Sequence, residues 1–64
     1  MIKLNDILSI MDITQYVRIY VGDNEWTSMT VYAALQVIND KIQQRNVTNL
    51  KICDGSVFIR LEQE

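Results

Sequence analysis

Histidine and proline are absent from this 64-residue sequence, which contains one cysteine and two glycines. Without histidine the most common general base is missing, and a lone thiol forms neither an internal disulfide nor a structural zinc site. Cys53 has no imidazole to activate it, and Gly22 and Gly55 do not form a glycine-rich phosphate loop. We therefore expect a protein that is not an enzyme and that uses no metal or other cofactor.

Long hydrophobic runs and a strong charge of either sign are also missing. No apolar run approaches the roughly 18 residues of a membrane-spanning helix, and the start "MIKLNDIL" lacks the apolar core of a signal peptide. These features, with the unpaired thiol, predict a cytoplasmic protein. The net charge of −2 argues against a strongly basic nucleic-acid binder and against an acidic mimic of DNA.

The short chain limits the core that the protein can build. Residues 1–64 form one domain at most, and a chain of this size buries only about 60% of the surface that its unfolded form exposes. Small proteins often gain stability from a disulfide, a metal or a partner subunit, and the first two are excluded here. Association with a second copy or a larger partner is therefore expected, and a well-packed monomer is the alternative.

Two segments have the apolar spacing of amphipathic helices. The first covers residues 4–11, with Asn5 as the expected N-cap. The second, residues 30–45, is expected to be one long helix that begins at a cap on Ser28 or Thr30 and ends at a left-handed Asn46. The predicted buried positions are Leu4, Ile7, Leu8 and Met11, then Val31, Ala34, Leu35, Ile38 and Ile42, whereas Gln36, Asn39, Asp40, Gln43 and Gln44 are expected to face outward.

Four short segments alternate between apolar and polar residues, as strands do. The segment "YVRIYV" (residues 16–21) is followed by the turn formers "GDN" and the returning segment "EWTS". With Asp23 and Asn24 in the turn, Trp26 lies opposite Val21 and faces the core, whereas a longer loop reverses this register. The segment "NLKICDGSVFIRL" predicts a hairpin about Asp54-Gly55 with a core face of Leu50, Ile52, Val57, Ile59 and Leu61.

The elements follow the order α-β-β-α-β-β. The economical architecture for this order is an α+β, two-layer domain in which two helices cover one face of a four-stranded antiparallel sheet. The uncovered face then carries three aromatic residues and three cations, with Cys53 beside them. The six candidate binding residues are Tyr16, Arg18, Tyr20, Lys51, Phe58 and Arg60.

Three explanations of this outer face remain open. Tyrosine and arginine are ordinary residues on a solvated sheet surface, so the face needs no ligand. The same residue types are enriched in protein–protein interfaces, and a sheet-to-sheet homodimer would supplement the small core. Aromatic residues on a sheet with flanking cations also form platforms for single-stranded nucleic acid, although no RNP-type motif is present.

The segments "NDILSIMD", "VRIYV" and "LKICDGSVFIRL", roughly residues 4–21 and 50–61, resemble small proteins encoded by phages and prophages of Gram-positive bacteria. In those proteins a leader like "DLLSIID" precedes "KVRIYD" and a final "V-x-I-x-I" strand. The middle of this chain departs from the pattern, because its helix is longer. The resemblance implies an inhibitor or modulator of a host defence protein, such as an anti-CRISPR protein, or a phage accessory or assembly protein.

These observations together predict a non-enzymatic module that binds protein. Its expected partners are a second copy of itself, a host protein, or both, and nothing in the sequence indicates a membrane partner. Nucleic acid is the less favoured ligand. Single-stranded nucleic-acid binding through the aromatic and cationic face is nevertheless the alternative function.

Overall fold

The computed structural model describes residues 2–63 as one sheet covered by helices on one face. Its α+β class confirms the prediction from the sequence. The elements in chain order are α1 (Leu4–Ile10), β1 (Tyr16–Val21), β2 (Asn24–Thr30), α2 (Val31–Val37), α3 (Asp40–Gln43), β3 (Val47–Cys53) and β4 (Ser56–Leu61).

The sheet is mixed, so the predicted all-antiparallel sheet is wrong. Its strand order is β2-β1-β4-β3, and the central strands β1 and β4 pair in parallel. Each hairpin reverses the chain, but the two hairpins are joined by a single helical pass through α2 and α3. That pass returns the chain to the end of the sheet where β2 began, so β3 runs in the direction of β2. As a result, β4 runs in the direction of β1.

The second hairpin has the register predicted from Asp54-Gly55. Both turn residues have positive φ, 52° and 78°, as a two-residue type I′ turn requires. Cys53 pairs with Ser56, and the remaining pairs follow without interruption to Asn49 opposite Arg60.

The first hairpin differs from its prediction. Gly22 and Asp23 form the turn, with Gly22 at φ 61°, so Val21 pairs with Asn24. The register then shifts between Ile19 and Tyr20, and Trp26 lies at this bulge rather than opposite Val21. Trp26 is 46% exposed, so its predicted place in the core is wrong.

The apolar stripe of α1 is confirmed, but its cap is not the predicted Asn5. The helix begins after Lys3, whose backbone N–H donates to the Asp6 carboxylate at 3.2 Å. Asn5 instead donates through its side-chain amide to the Oε1 atom of Gln43 at 2.7 Å. Leu4, Ile7 and Leu8 are buried as expected, whereas Met11 follows the end of the helix and is only half-buried.

The predicted long helix is interrupted at Ile38 and Asn39. Both residues have extended backbone angles, and the Asn39 side chain accepts a hydrogen bond from the backbone N–H of Ile42. Asn39 therefore caps a new short helix instead of continuing the first, which is a usual role of asparagine. Thr30 is the N-cap of α2, accepting from Ala33 N–H at 3.3 Å.

Gln43 compensates for this interruption, although the sequence pattern placed it outside. Its amide nitrogen donates to the Ile38 carbonyl at 2.6 Å, and its amide oxygen accepts from Asn5. The side chain is 6% exposed. Buried polar groups need such partners, so Gln43 holds α3 against both α1 and the broken end of α2.

Asn46 is also not the predicted left-handed cap, because its φ is not positive. It forms an isolated bridge with Lys3, and Val47 N–H donates to the Ile2 carbonyl at 2.7 Å. The segment before α1 is therefore attached to the start of β3.

Asp12 organises the turn between α1 and β1. The Thr14 hydroxyl and then the Thr14 backbone N–H donate to its Oδ1 atom, at 2.6 and 2.8 Å. These hydrogen bonds favour the ionised form and hold the pKa of the Asp12 carboxyl below its ordinary value.

The core lies between the helices and the two central strands. Leu50 and Ile52 were predicted to belong to it, but they are exposed because the helices do not cover the inner face of β3. The buried apolar residues are Leu4, Ile7, Leu8, Val17, Ile19, Val31, Ala34, Ile38, Val57, Ile59 and Leu61.

Replacing Ile19 by alanine should lower the free energy of unfolding by about 2–5 kcal/mol, because its fully buried side chain would leave a cavity. The same substitution at the exposed Ile13 should change it by less than about 1 kcal/mol. Denaturant titration followed by circular dichroism measures both variants. Equal losses would contradict this assignment of the core.

Replacing Gln43 by alanine should lower the free energy of unfolding by about 1–3 kcal/mol, because the buried Ile38 carbonyl loses its side-chain donor. Gln36→Ala, on the exposed face of α2, is the matched control and should be nearly neutral. Thermal unfolding at a fixed protein concentration compares the two. If both variants melt together, Gln43 does not hold the interrupted helix.

Candidate binding surfaces

The six residues predicted as a binding face lie together on the uncovered side of the sheet. On β1 they alternate with the buried Val17 and Ile19, and on β4 with the buried Val57 and Ile59. The register places them in rows across the strands. In the middle row, Ser28, Arg18, Phe58 and Lys51 are successive neighbours on β2, β1, β4 and β3.

The ring of Phe58 is packed between two other residues of the same face, Arg18 and Tyr20. The Cζ atom of Arg18 lies 5.2 Å from the centre of the Phe58 ring, a cation–π distance. The ring of Tyr20 is stacked beside it, with centroids 6.0 Å apart and planes at 18°. Phe58 is therefore half-buried without a ligand, and this arrangement supports the solvated-surface explanation for this part of the face.

Arg18 is in addition neutralised by Glu25, a residue that the sequence pattern did not place on this face. Its Nη2 and Nε atoms lie 2.7 and 2.9 Å from the Glu25 Oε1 atom. The bulge in β2 puts Glu25 opposite Tyr20 and beside Arg18. Finding this pair from sequence would have required the register of the first hairpin, which the turn residues left open.

Tyr16 lies at the edge of the face and is held by the neighbouring strand. Its hydroxyl donates to Ser28 Oγ at 3.0 Å, although the residue stays exposed. Tyr16 therefore extends the polar surface more than the aromatic cluster.

Lys51 and Arg60 are the two cations that the face leaves open. Both are exposed, and neither forms an ion pair with any residue of 2–63. They flank a shallow groove of about 240 Å³ whose other lining includes Tyr20, Asn49 and Phe58. A groove with two open cations and aromatic walls can accept an anionic or planar group.

Charge is divided unevenly between this face and the rest of the molecule. The face carries three cations and the single carboxylate of Glu25, a net charge of +2. Among the other residues from 2 to 63, three cations and six carboxylates give −3. The small net charge of the whole sequence therefore does not reveal that one face of the sheet is positively charged.

A second surface, which the sequence pattern did not reveal, lies on the opposite side of the sheet between α1 and β3. We call it the α1–β3 surface and define it by Ile2, Ile7, Ile10, Leu50, Ile52 and Val57. Together with Met11 and the polar Asp6 and Ser9, these residues line a groove of about 620 Å³.

The exposure of the α1–β3 surface is unusual for its composition. Four of its side chains are open to solvent: Ile10 is 84% exposed, Ile52 74%, Ile2 59% and Leu50 50%. Single exposed apolar residues are common, but a contiguous group of them marks an interaction surface. Alternation alone could not distinguish this surface from core, because it shows only which side of β3 is apolar.

The described part of the chain contains no cluster of three or more histidine, cysteine, aspartate or glutamate residues that could hold a metal ion. Cys53 lies beside the second turn, where its thiol is 3.7 Å from the Asp54 carboxylate. Among residues 2–63, no helix combines the length and apolar character that a membrane crossing needs.

Comparisons with family models, with curated proteins and with solved structures found no match to this chain. The resemblance to small phage-encoded proteins therefore stays a prediction from the sequence. The two surfaces themselves are the structural features that point to a function.

Proposed function

We propose that this protein is a non-enzymatic protein-binding module that works as a homodimer, in which a second copy covers the α1–β3 surface. The observation that carries the proposal is the contiguous exposure of Ile2, Ile10, Leu50 and Ile52 beside an open sheet edge. Water-exposed groups of this kind favour association because their burial removes apolar area from solvent.

Burial of the exposed apolar side chains contributes part of the free energy that a dimer needs. Fully burying an isoleucine side chain contributes about 1.5–3 kcal/mol, so the four side chains of Ile10 and Ile52 in two copies contribute at most roughly 6–12 kcal/mol. Loss of translational and rotational freedom opposes this with about 4–15 kcal/mol. The apolar contacts therefore need added contributions from the remaining surface. For an interface of standard size we expect a dissociation constant at or below about 10⁻⁶ M.

The accessible surface area of the molecule is large enough for a second copy to cover the α1–β3 surface. A standard interface buries about 800 Å² on each partner, which is about one fifth of this protein's 4223 Å² of accessible surface. A 64-residue chain with one cysteine gains most from an additional apolar layer, since its own core is small.

The outer face is less suited to a sheet-to-sheet homodimer, the arrangement expected from the sequence. Arg18 and Tyr20 already cover Phe58, so little of its ring remains to be buried by a partner. Two copies packed through this face would also bring six cations together against two carboxylates. Like charges brought together across an interface oppose such a dimer.

Sedimentation equilibrium should show a dimer at tens of micromolar protein, and Ile52→Thr should raise the dissociation constant about thirtyfold or more. Threonine keeps the strand preference but places a hydroxyl in the apolar interface. Val37→Thr is the matched control, because Val37 is exposed on α2 and does not line the α1–β3 surface. It should associate like the wild type.

Both variants should keep the wild-type circular dichroism spectrum, because neither side chain belongs to the core. A single 7.5 kDa species at every concentration would refute the homodimer. Equal weakening by the two variants would refute the role of the α1–β3 surface. Modulation of a host protein stays a prediction of the resemblance in sequence.

Binding of single-stranded nucleic acid through the outer face is the second candidate, and the concentration of positive charge on that face is the observation that favours it. Lys51 and Arg60 are open to phosphate, and Tyr20 offers a ring for stacking. Arg18 is less available, because Glu25 and Phe58 engage it.

This candidate predicts that a labelled oligothymidine binds at low salt and that its affinity falls steeply as salt rises. Lys51→Gln and Arg60→Gln should each lower the slope of log affinity against log salt by about one. Lys41→Gln, an exposed cation on α3, is the control and should leave the slope unchanged. The absence of binding at low salt would eliminate this function.

A further inference from the structure

β3 is one of the two outer strands of the sheet, and it has an unusual combination of features. Over residues 49–53 its backbone has a strand partner on one side only, β4, whereas at the start of the strand the Val47 N–H is already bonded to the Ile2 carbonyl. Its inner face carries the exposed Leu50 and Ile52. An exposed edge strand with an apolar face is a template for pairing with another strand.

The opposite edge, β2, offers a shorter regular stretch and a more polar sequence than β3. A bulge at Trp26, its third residue, leaves only residues 27–30 regularly paired, and its sequence "NEWTSMT" is largely polar. In β3 the irregularity lies at its beginning, between Val47 and Asn49. Residues 49–53 are therefore regularly paired with β4 on one side and open on the other.

We propose that β3 pairs antiparallel with β3 of a second copy about a two-fold axis, so that two sheets join into one continuous sheet of eight strands. This inference rests on the proposed homodimer and specifies its geometry. The two-fold axis brings the α1–β3 surfaces of both copies together, so Leu50 and Ile52 of each copy meet those of the other. One interface thus satisfies the free backbone edge and covers the exposed apolar side chains.

The charge of Lys51 restricts the register of this pairing. The apolar faces of both β3 strands lie on the same side of the joined sheet only if the two-fold axis lies beside a residue and not between two residues. Within the open stretch, that residue is Leu50, Lys51 or Ile52. An axis through Lys51 places two ammonium groups directly opposite each other, which is destabilising. An axis through Leu50 pairs Lys51 with Asn49 of the second copy, and an axis through Ile52 pairs it with Cys53. Lysine on an edge strand commonly discourages pairing, and here it selects among registers.

The pairing also has a consequence for the outer face. Lys51 points to that face on the strand nearest the axis, and Arg60 lies diagonally from it on the next strand, opposite Asn49. The two positive grooves of a dimer would therefore lie side by side on one surface, leaving both of them open.

Cysteine cross-linking tests the pairing directly. In a Cys53→Ser background, Leu50→Cys and Ile52→Cys each introduce a thiol that can lie directly opposite the same thiol of the second copy. Directly opposed residues of antiparallel strands have Cα atoms about 4.5–5.5 Å apart, within the range that a disulfide spans. With oxidised glutathione as the oxidant, one of the two variants should form a covalent dimer at least tenfold faster than Thr27→Cys, a control on the β2 edge.

Hydrogen exchange of the unaltered protein provides a test that needs no variant. Alternate amides of residues 49–53 should exchange at least tenfold more slowly at concentrations where the dimer predominates than where the monomer does, and amides of β2 should not change. If sedimentation shows a dimer but cross-linking stays at the control rate and exchange in β3 is unaltered, edge pairing is refuted and the homodimer stands. A monomer at all concentrations refutes the homodimer itself.

Discussion

The parallel pairing of β1 with β4 is the interaction on which the rest of this structure depends. It joins two hairpins that would otherwise be separate, and two-stranded hairpins are only marginally stable alone. It places Val17 beside Val57 and Ile19 beside Ile59 under the helices. The same register brings Arg18 next to Phe58 on the opposite face, so the core and the aromatic–cationic cluster both arise from one strand pair.

The helical layer covers the central strands but not the whole sheet. Its long segment is interrupted by Asn39, which caps a new short helix, and Gln43 joins that helix to α1. The arrangement packs the apolar faces of α1, α2 and the two central strands into a small core. Leu50 and Ile52 lie outside that core. The α1–β3 surface therefore results from incomplete coverage, which is a common property of domains that are completed by association.

The two faces of the sheet offer different chemistry. The α1–β3 surface is apolar, so a ligand that covers it would bind because apolar area is removed from water. The affinity of such a ligand should depend little on salt. The outer face is positively charged, and part of it is already engaged in internal contacts of Arg18 with Glu25 and Phe58. A protein ligand on the first surface and an anionic ligand on the second would not compete for the same residues, because Lys51 and Ile52 point to opposite sides of β3.

Local sequence determined the four strands, the apolar faces of β1, β3 and β4, and the second turn. Asp54-Gly55 specified its register because two consecutive positive φ angles favour these residue types, and alternation correctly placed Tyr16, Arg18, Tyr20, Lys51, Phe58 and Arg60 on one side. Only the tertiary structure decided that β1 and β4 are neighbours, that the long helix breaks at Asn39, that Glu25 neutralises Arg18 and that Leu50 and Ile52 stay exposed. The physical reason is that periodicity shows which side of an element is apolar, whereas burial depends on whether another element packs against that side.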